Sequence, residues 1–335
     1  MHSRKLGSFS VSALGLGCMN YSMGYGPRAD NDTIDKLLNG ALDQGYTFFD
    51  TAAMYGMGHS EEMIGKYLSS HRNEFTLTSK CGIFKNRKGK TEINGHPDVL
   101  QKTCEDSLKR LNTDVIDLYY LHRIDPNIPV EESIGALSRL VEQGKIQGIG
   151  LSEVSSDSLR RAHSTHPVMA LQSEYSLWSR TPERKILDAC RELGVTFIAF
   201  SPLGRQFLTG QSADTHTLDQ VSDYENFRAS IARPRFEPEN FEKNTKLLLP
   251  FSEIAQKNDC NMAQLALAWL LAQGEDIIPI PGTSNIKHME ENAAAGDLKL
   301  SAETINELDK LINDETVAGA RYTDALMTSI DSEKD

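Results

Sequence analysis

Four polar side chains stand where apolar runs of this sequence end, and together their chemistry is that of a proton donor with its supports. Asp50 closes "TFFD" (47–50), Tyr55 follows five positions later in "FFDTAAMYG" (48–56), Lys80 closes "FTLTSK" (75–80), and His122 closes "VIDLYYLH" (115–122). Singly, each has an ordinary explanation: a loop-capping acid, a packing phenol, a surface ammonium, a satisfied core imidazole. As a set they describe a tuned acid. A phenol titrates near ~10, too high for easy proton donation at neutral pH, and a neighbouring ammonium lowers that value. A lysine beside a buried lumen tends to lose its own proton unless a carboxylate holds it, which is the part Asp50 can play. His122 could then hydrogen-bond and polarise a substrate oxygen.

Such a set works only if the strands carrying it end side by side. Continuous apolar runs at 14–20, 47–50, 75–80, 115–122, 146–152, 168–174, 195–201 and 277–282 read as buried parallel strands. Helical patterns lie between them, as in 31–45, 96–111 and 129–144, and each is followed by a strand. Most strand starts fall roughly 20 to 40 residues apart, the length of a strand plus its crossover helix. Eight such units predict an α/β fold of the (β/α)8 TIM-barrel type, with residues 1–335 as a single domain. An open doubly wound sheet is the rival, but "GLGCMN" (15–20) lacks the third glycine of a dinucleotide fingerprint.

The interval 202–276 is about twice the usual unit: a polar stretch, "QSADTHTLDQVSDYEN" (211–226), is followed by helices over 239–258 and 261–273. It reads as a long loop after the seventh strand, lying over the active-site mouth. The opening "HSRKLGSFSVSA" predicts an N-terminal hairpin closing the other end of the barrel.

Composition narrows the partners. Lys and Arg total 35 against 47 Asp and Glu, a net charge of −12, which disfavours nucleic acid and acidic lipid surfaces. The basic run "KNRKGK" (85–90) has no aromatic ladder beside it and reads as a solvated loop. Five scattered cysteines make no disulfide framework and fit a reducing cytoplasm. No signal-peptide core and no apolar span of about 20 residues is visible, so a cytoplasmic protein is expected. "HSTH" (163–166) is followed by proline without further ligands nearby, so no metal is expected.

At the level of motifs the chain resembles the aldo-keto reductases, on "FDTAAMYG", "LTSKCG" and "DLYYLHR", and the resemblance runs through nearly its whole length. It implies a (β/α)8 barrel reducing carbonyl compounds with a nicotinamide cofactor. The family's catalytic tetrad then falls on Asp50, Tyr55, Lys80 and His122. In "GIGLSE" (148–153), Ser152 matches a residue holding the carboxamide, while Glu153 stands where an asparagine is usual; Gln172 in "LQSEYS" matches a second carboxamide contact. "FSPLGRQFLTG" (200–210) is similar to the pyrophosphate-binding segment, implying roles for Ser201, Leu203 and Arg205. Phe200 would stack on the nicotinamide there.

"PIPGTSNIKHMEEN" (279–292) resembles the adenosine site, with Gly282 at its turn and Glu291 and Asn292 toward adenine. Ser284, Lys287 and His288 are the candidates for a 2′-phosphate, so NADPH is expected and NADH is the alternative. The segments "PRFEPENFEKN", "LALAWLLAQG" and "VAGARYTDALM" are similar to one bacterial and fungal branch of the family. The implied partner is a small carbonyl substrate. A nicotinamide-binding sensor with little turnover is the rival function, and the sequence leaves the oligomeric state open.

Overall fold

The computed structural model describes residues 1–85, 90–210, 230 and 232–335. The hairpin expected at the start is present, with β1 (Ser3–Leu6) antiparallel to β2 (Phe9–Ser12). Eight strands then form one sheet: β3 (Leu16–Gly17), β4 (Phe48–Asp50), β5 (Thr76–Cys81), β8 (Ile116–Leu121), β9 (Ile146–Ser152), β10 (Val168–Glu174), β11 (Thr196–Phe200) and β12 (Ile277–Pro279). Every neighbouring pair is parallel. A parallel bridge between Gly17 and Gly282, with Gly15 N–H donating to Pro279 O at 3.0 Å, joins the first strand to the last and closes the ring. Each strand falls on an expected apolar run, β5 reaching one residue past 75–80 to Cys81.

Side chains alternate along a strand, so one set faces the lumen and the other the helices. Phe48, Leu118, Tyr120, Ala170, Ile198, Ile278 and Ile280 form the inner cluster, and Leu6 and Val11 of the hairpin join it. The outer cluster packs Leu77, Tyr119, Leu121, Ile149, Leu151, Leu171 and Phe197 against helical residues. Gly150 is small because the lumen is full: a Cβ there would lie 2.3 Å from the Tyr120 ring.

The surrounding helices are α1 (Asn31–Asp43), α2 (His59–Leu68), α3 (Pro97–Leu111), α4 (Val130–Glu142), α5 (Ser156–Thr165) and α6 (Ile186–Leu193). Local chemistry starts them: the Asp30 side chain accepts from Thr33 N–H before α1, and Pro97 occupies the first turn of α3. After β11 come α7 (Arg233–Phe236), α8 (Pro238–Thr245), α9 (Leu248–Lys257) and α10 (Met262–Ala272). The helical stretch expected over 239–258 is thus two helices. Pro250 has no N–H to continue a helix from below and would crowd the carbonyl four residues back, so the chain restarts at Leu248. The polar segment 211–226 lies outside the described residues. After β12 follow α11 (Ile286–Ala294), α12 (Ala302–Leu311) and α13 (Asp324–Met327).

A second hairpin, β6 (Ile83–Lys85) with β7 (Thr91–Ile93), brackets the basic run and was not expected; residues 86–89 of that run lie outside the described residues. Among the described residues no helix is long and apolar enough to cross a membrane.

Candidate active site

The parity that fills the lumen also aims the polar strand ends. Two residues beyond the inward Phe48 stands Asp50; beyond Tyr120 stands His122; beyond Ala170 stands Gln172; beyond Ile198 stands Phe200. They arrive together at the C-terminal mouth of the barrel. There a cleft of about 690 Å³ is lined by Asp50, Tyr55, His122, Ser152, Gln172, Phe200, Ser201, Leu203, Arg205 and Gly282.

Lys80 lies beneath the cleft, 1% exposed. Its ammonium donates to a carboxylate oxygen of Asp50, to Thr51 O at 2.9 Å and to the Tyr55 hydroxyl at 3.2 Å. Asp50 is held in turn by Thr78 Oγ1 and by Gln172 Nε2, each at 2.8 Å from its second oxygen. The Tyr55 and His122 rings meet edge to face, with centroids 5.9 Å apart. The four residues singled out by type are therefore one connected group.

Burial opposes the charge on Lys80, but Asp50 and then Tyr55 outweigh it and hold the ammonium above its ordinary value. Burial pushes the Tyr55 phenol up, and the Lys80 ammonium is the largest influence pulling it back. The expected net lowering of the phenol does not appear, because desolvation of the phenolate exceeds the ammonium's attraction. Burial, with Arg123 and Lys80 adding to it, drives His122 well below its usual value, so its imidazole is neutral at neutral pH.

Ser152 Oγ accepts from Arg123 Nη1 at 3.0 Å. The segment after β11 winds through left-handed backbone at Ser201 (φ 49°), Arg205 (φ 54°) and Gln206 (φ 74°), positions where a non-glycine residue is strained. Arg205 is turned inward, donating to Glu174 at 2.9 Å and to the Tyr322 hydroxyl at 3.1 Å. Gly282 sits at the closure of the ring, where a Cβ would lie 2.5 Å from the Asn20 side-chain oxygen and 2.9 Å from Gly17 O.

Ser284, Lys287 and His288 lie around the start of α11 and Glu291 and Asn292 in its second half, and none of them is part of the cleft wall. Asn285 caps that helix, its Oδ1 accepting from Lys287 N–H at 2.9 Å and His288 N–H at 3.4 Å. Lys287 pairs with Glu291 at 3.7 Å on the exposed face, while Asn292 is buried.

Sequence reasoning did not foresee the part played by the C-terminal segment. Glu153, where an asparagine was expected, is buried at φ 55° and receives Arg321 through two bonds, at 3.1 and 2.6 Å, and Ser332 Oγ at 2.6 Å. Although burial raises a carboxyl, Arg321 brings Glu153 down to about 2. Tyr322, Leu326, Ser329, Ile330 and Asp331 complete the cleft wall. The signal was the unusual acid itself, since a buried carboxylate demands a cation from elsewhere in the chain.

Residues 13–313 match the model of the Aldo/keto reductase family. The chain belongs to the aldo-keto reductase family. It is 43% identical over 326 residues to "Aldo-keto reductase yakc [NADP(+)]" of Schizosaccharomyces pombe, an alignment covering 96% of this chain and 94% of that one. A glycerol dehydrogenase from Gluconobacter oxydans superposes with a TM-score of 0.81 at 28% identity, covering 92% of this chain and 94% of the other. An aldo-keto reductase from Klebsiella pneumoniae, solved in complex with NADPH, superposes with a TM-score of 0.72 at 27% identity, covering 96% and 98%. In this aldo-keto reductase the cleft is the barrel-mouth cavity, and its wall joins the strand ends to the C-terminal segment.

Proposed function

We propose that this reductase, acting as a single barrel domain over residues 1–335 in a reducing cytoplasm, converts small aldehydes and ketones to alcohols with NADPH, and that Tyr55 is its general acid. The observation that carries the reading is the saturation of the Lys80 ammonium by Asp50, Thr51 O and Tyr55. A buried cation so placed has one variable partner, the phenol oxygen, and its charge favours phenolate after a proton has left.

Nicotinamide fits the residues at the mouth. Phe200 presents a half-buried ring to the cleft, and Ser152 and Gln172 offer a hydroxyl and an amide suited to a carboxamide. The left-handed turn at Ser201, with Leu203 and Arg205 following, leaves a cleft wall suited to a pyrophosphate. Gly282, Glu291 and Asn292 would serve the adenosine, and Ser284, Lys287 and His288 the 2′-phosphate. The similarity to proteins whose names and complexes carry NADP(+) and NADPH supports that choice. When bound, the reduced cofactor supplies a hydride.

His122, neutral, donates a ring N–H to the substrate oxygen and orients it. Tyr55 then gives its hydroxyl proton to that oxygen as negative charge develops there. The phenolate left behind is stabilised by Lys80, which Asp50 keeps charged, and recovers its proton from solvent. Consumption of NADPH against a panel of aldehydes and ketones, run in parallel with NADH, tests the reading. Turnover with a higher kcat/KM for NADPH is expected; binding of NADPH without turnover of any carbonyl compound would overturn it.

A further inference from the structure

Most charges on the cleft wall already have partners. Asp50 is matched by Lys80, Glu153 by Arg321, Asp331 by Lys334 at 2.6 Å, and Arg205 by Glu174 at 2.9 Å. Arg123 is different. It lines the cleft half-buried, directly after His122, and its Nη1 donates to His122 O and to Ser152 Oγ. Among the described residues no carboxylate lies within ion-pair distance of it. Glu153 feels its charge, but the Glu153 oxygens are taken by Arg321, Ser332 and the Glu174 N–H.

A guanidinium has five N–H donors in a planar fork, and here a single nitrogen makes both bonds. Partial burial of a cation without a counter-charge is unfavourable, and an arriving anion relieves it. A carboxylate suits the fork because both of its oxygens can be engaged at once.

We propose that Arg123 receives the carboxylate of the substrate, so that the preferred carbonyl compounds are short aldehydes or ketones bearing a carboxylate a few bonds from the reacting carbon. The inference rests on the reductase reading above and names the substrate class of that same site. The placement favours it: Arg123 adjoins His122, whose ring packs on Tyr55, so a carbonyl oxygen held by these two leaves the rest of a short chain within reach of the guanidinium.

The experiment compares kcat/KM for 4-oxobutanoate and for butanal, which differ in the terminal carboxylate, in the wild type, Arg123→Gln and Arg123→Lys, with NADPH consumption as readout. In the wild type 4-oxobutanoate should be favoured by about tenfold to a hundredfold, mainly through KM, the range of a hydrogen bond to a charged group. The ratio should collapse toward unity in Arg123→Gln and be partly retained in Arg123→Lys. Using the ratio cancels any effect of the substitution on Ser152 and the cofactor. Equal kcat/KM for the two aldehydes in the wild type, or a ratio unchanged in Arg123→Gln, overturns the proposal and leaves the reductase reading standing. No turnover of either aldehyde also overturns the proposal, and turnover of another carbonyl compound in the panel would then still uphold the reductase reading.

Discussion

Lys80 Nζ lies 3.2 Å from the Tyr55 hydroxyl, and that bond takes the last of the three ammonium protons. The lysine is thereby fixed in orientation and cannot turn toward the cleft. What it transmits to Tyr55 is charge, delivered along a single direction.

Replacing Tyr55 with Phe should lower kcat for aldehyde reduction by about a hundredfold to ten-thousandfold, the usual contribution of a general acid, while the Kd for NADPH changes little. Stopped-flow NADPH oxidation and a fluorescence titration of the cofactor separate the two effects. Retained turnover would remove Tyr55 from the proposed role.

Lys80→Met should reduce both turnover and stability, because Asp50, 1% exposed, is left as an unpaired buried charge. A loss of about 3–5 kcal/mol in urea unfolding is expected. Adding Asp50→Asn to that variant should restore much of the stability and none of the activity. If the double variant regained turnover, the ammonium would not be needed for the acid.

The pH dependence follows from two displaced groups. Tyr55 must be protonated to act, and its value is raised above that of an ordinary phenol, so kcat/KM should stay level through neutral pH and fall only above about pH 10. His122 is depressed well below its usual value. An unfolded imidazole takes up a proton below about 6.5 and the folded one does not, so stability falls as the pH drops through that window. His122→Asn should flatten that fall by up to one proton, as read from urea unfolding between pH 7 and 5. An alkaline limb near pH 8, or an unchanged acid slope in the variant, would contradict these assignments.

Arg321→Met tests the link between the C-terminal segment and the mouth. Glu153 is carried from the ordinary 4.5 to about 2, so its contribution to stability is complete above about pH 4.5 and is lost as the pH falls toward 2. At neutral pH the substitution should cost about 3–5 kcal/mol, and the gap from the wild type should narrow at pH 3. A gap of the same size at both pH values would show that Arg321 acts by packing alone.

The strand ends were legible because two signals coincided there. A continuous apolar run marks a buried parallel strand, and a polar residue two places past an inward side chain must face the mouth, as Asp50 follows Phe48 and His122 follows Tyr120. The inward turn of Arg205 was not legible, since Glu174 and Tyr322 come from distant parts of the chain. The strand expected over 14–20 contracts to Leu16–Gly17, the two residues that pair with Phe49 and Asp50. The β6–β7 hairpin was hidden because three-residue strands beside a basic run, one half-buried and the other exposed, have no apolar period to mark them.

The closure of the ring at Gly17 and Gly282 has a thermodynamic consequence. The first and last strands meet there through a bridge between two glycines and through backbone bonds from Gly15 N–H to Pro279 O and from Gly17 N–H to Pro281 O. Both bridging glycines also line the cleft. A molecule seated across that junction therefore acts as a clasp on the barrel as well as a ligand, and part of its binding energy goes into holding the seam shut.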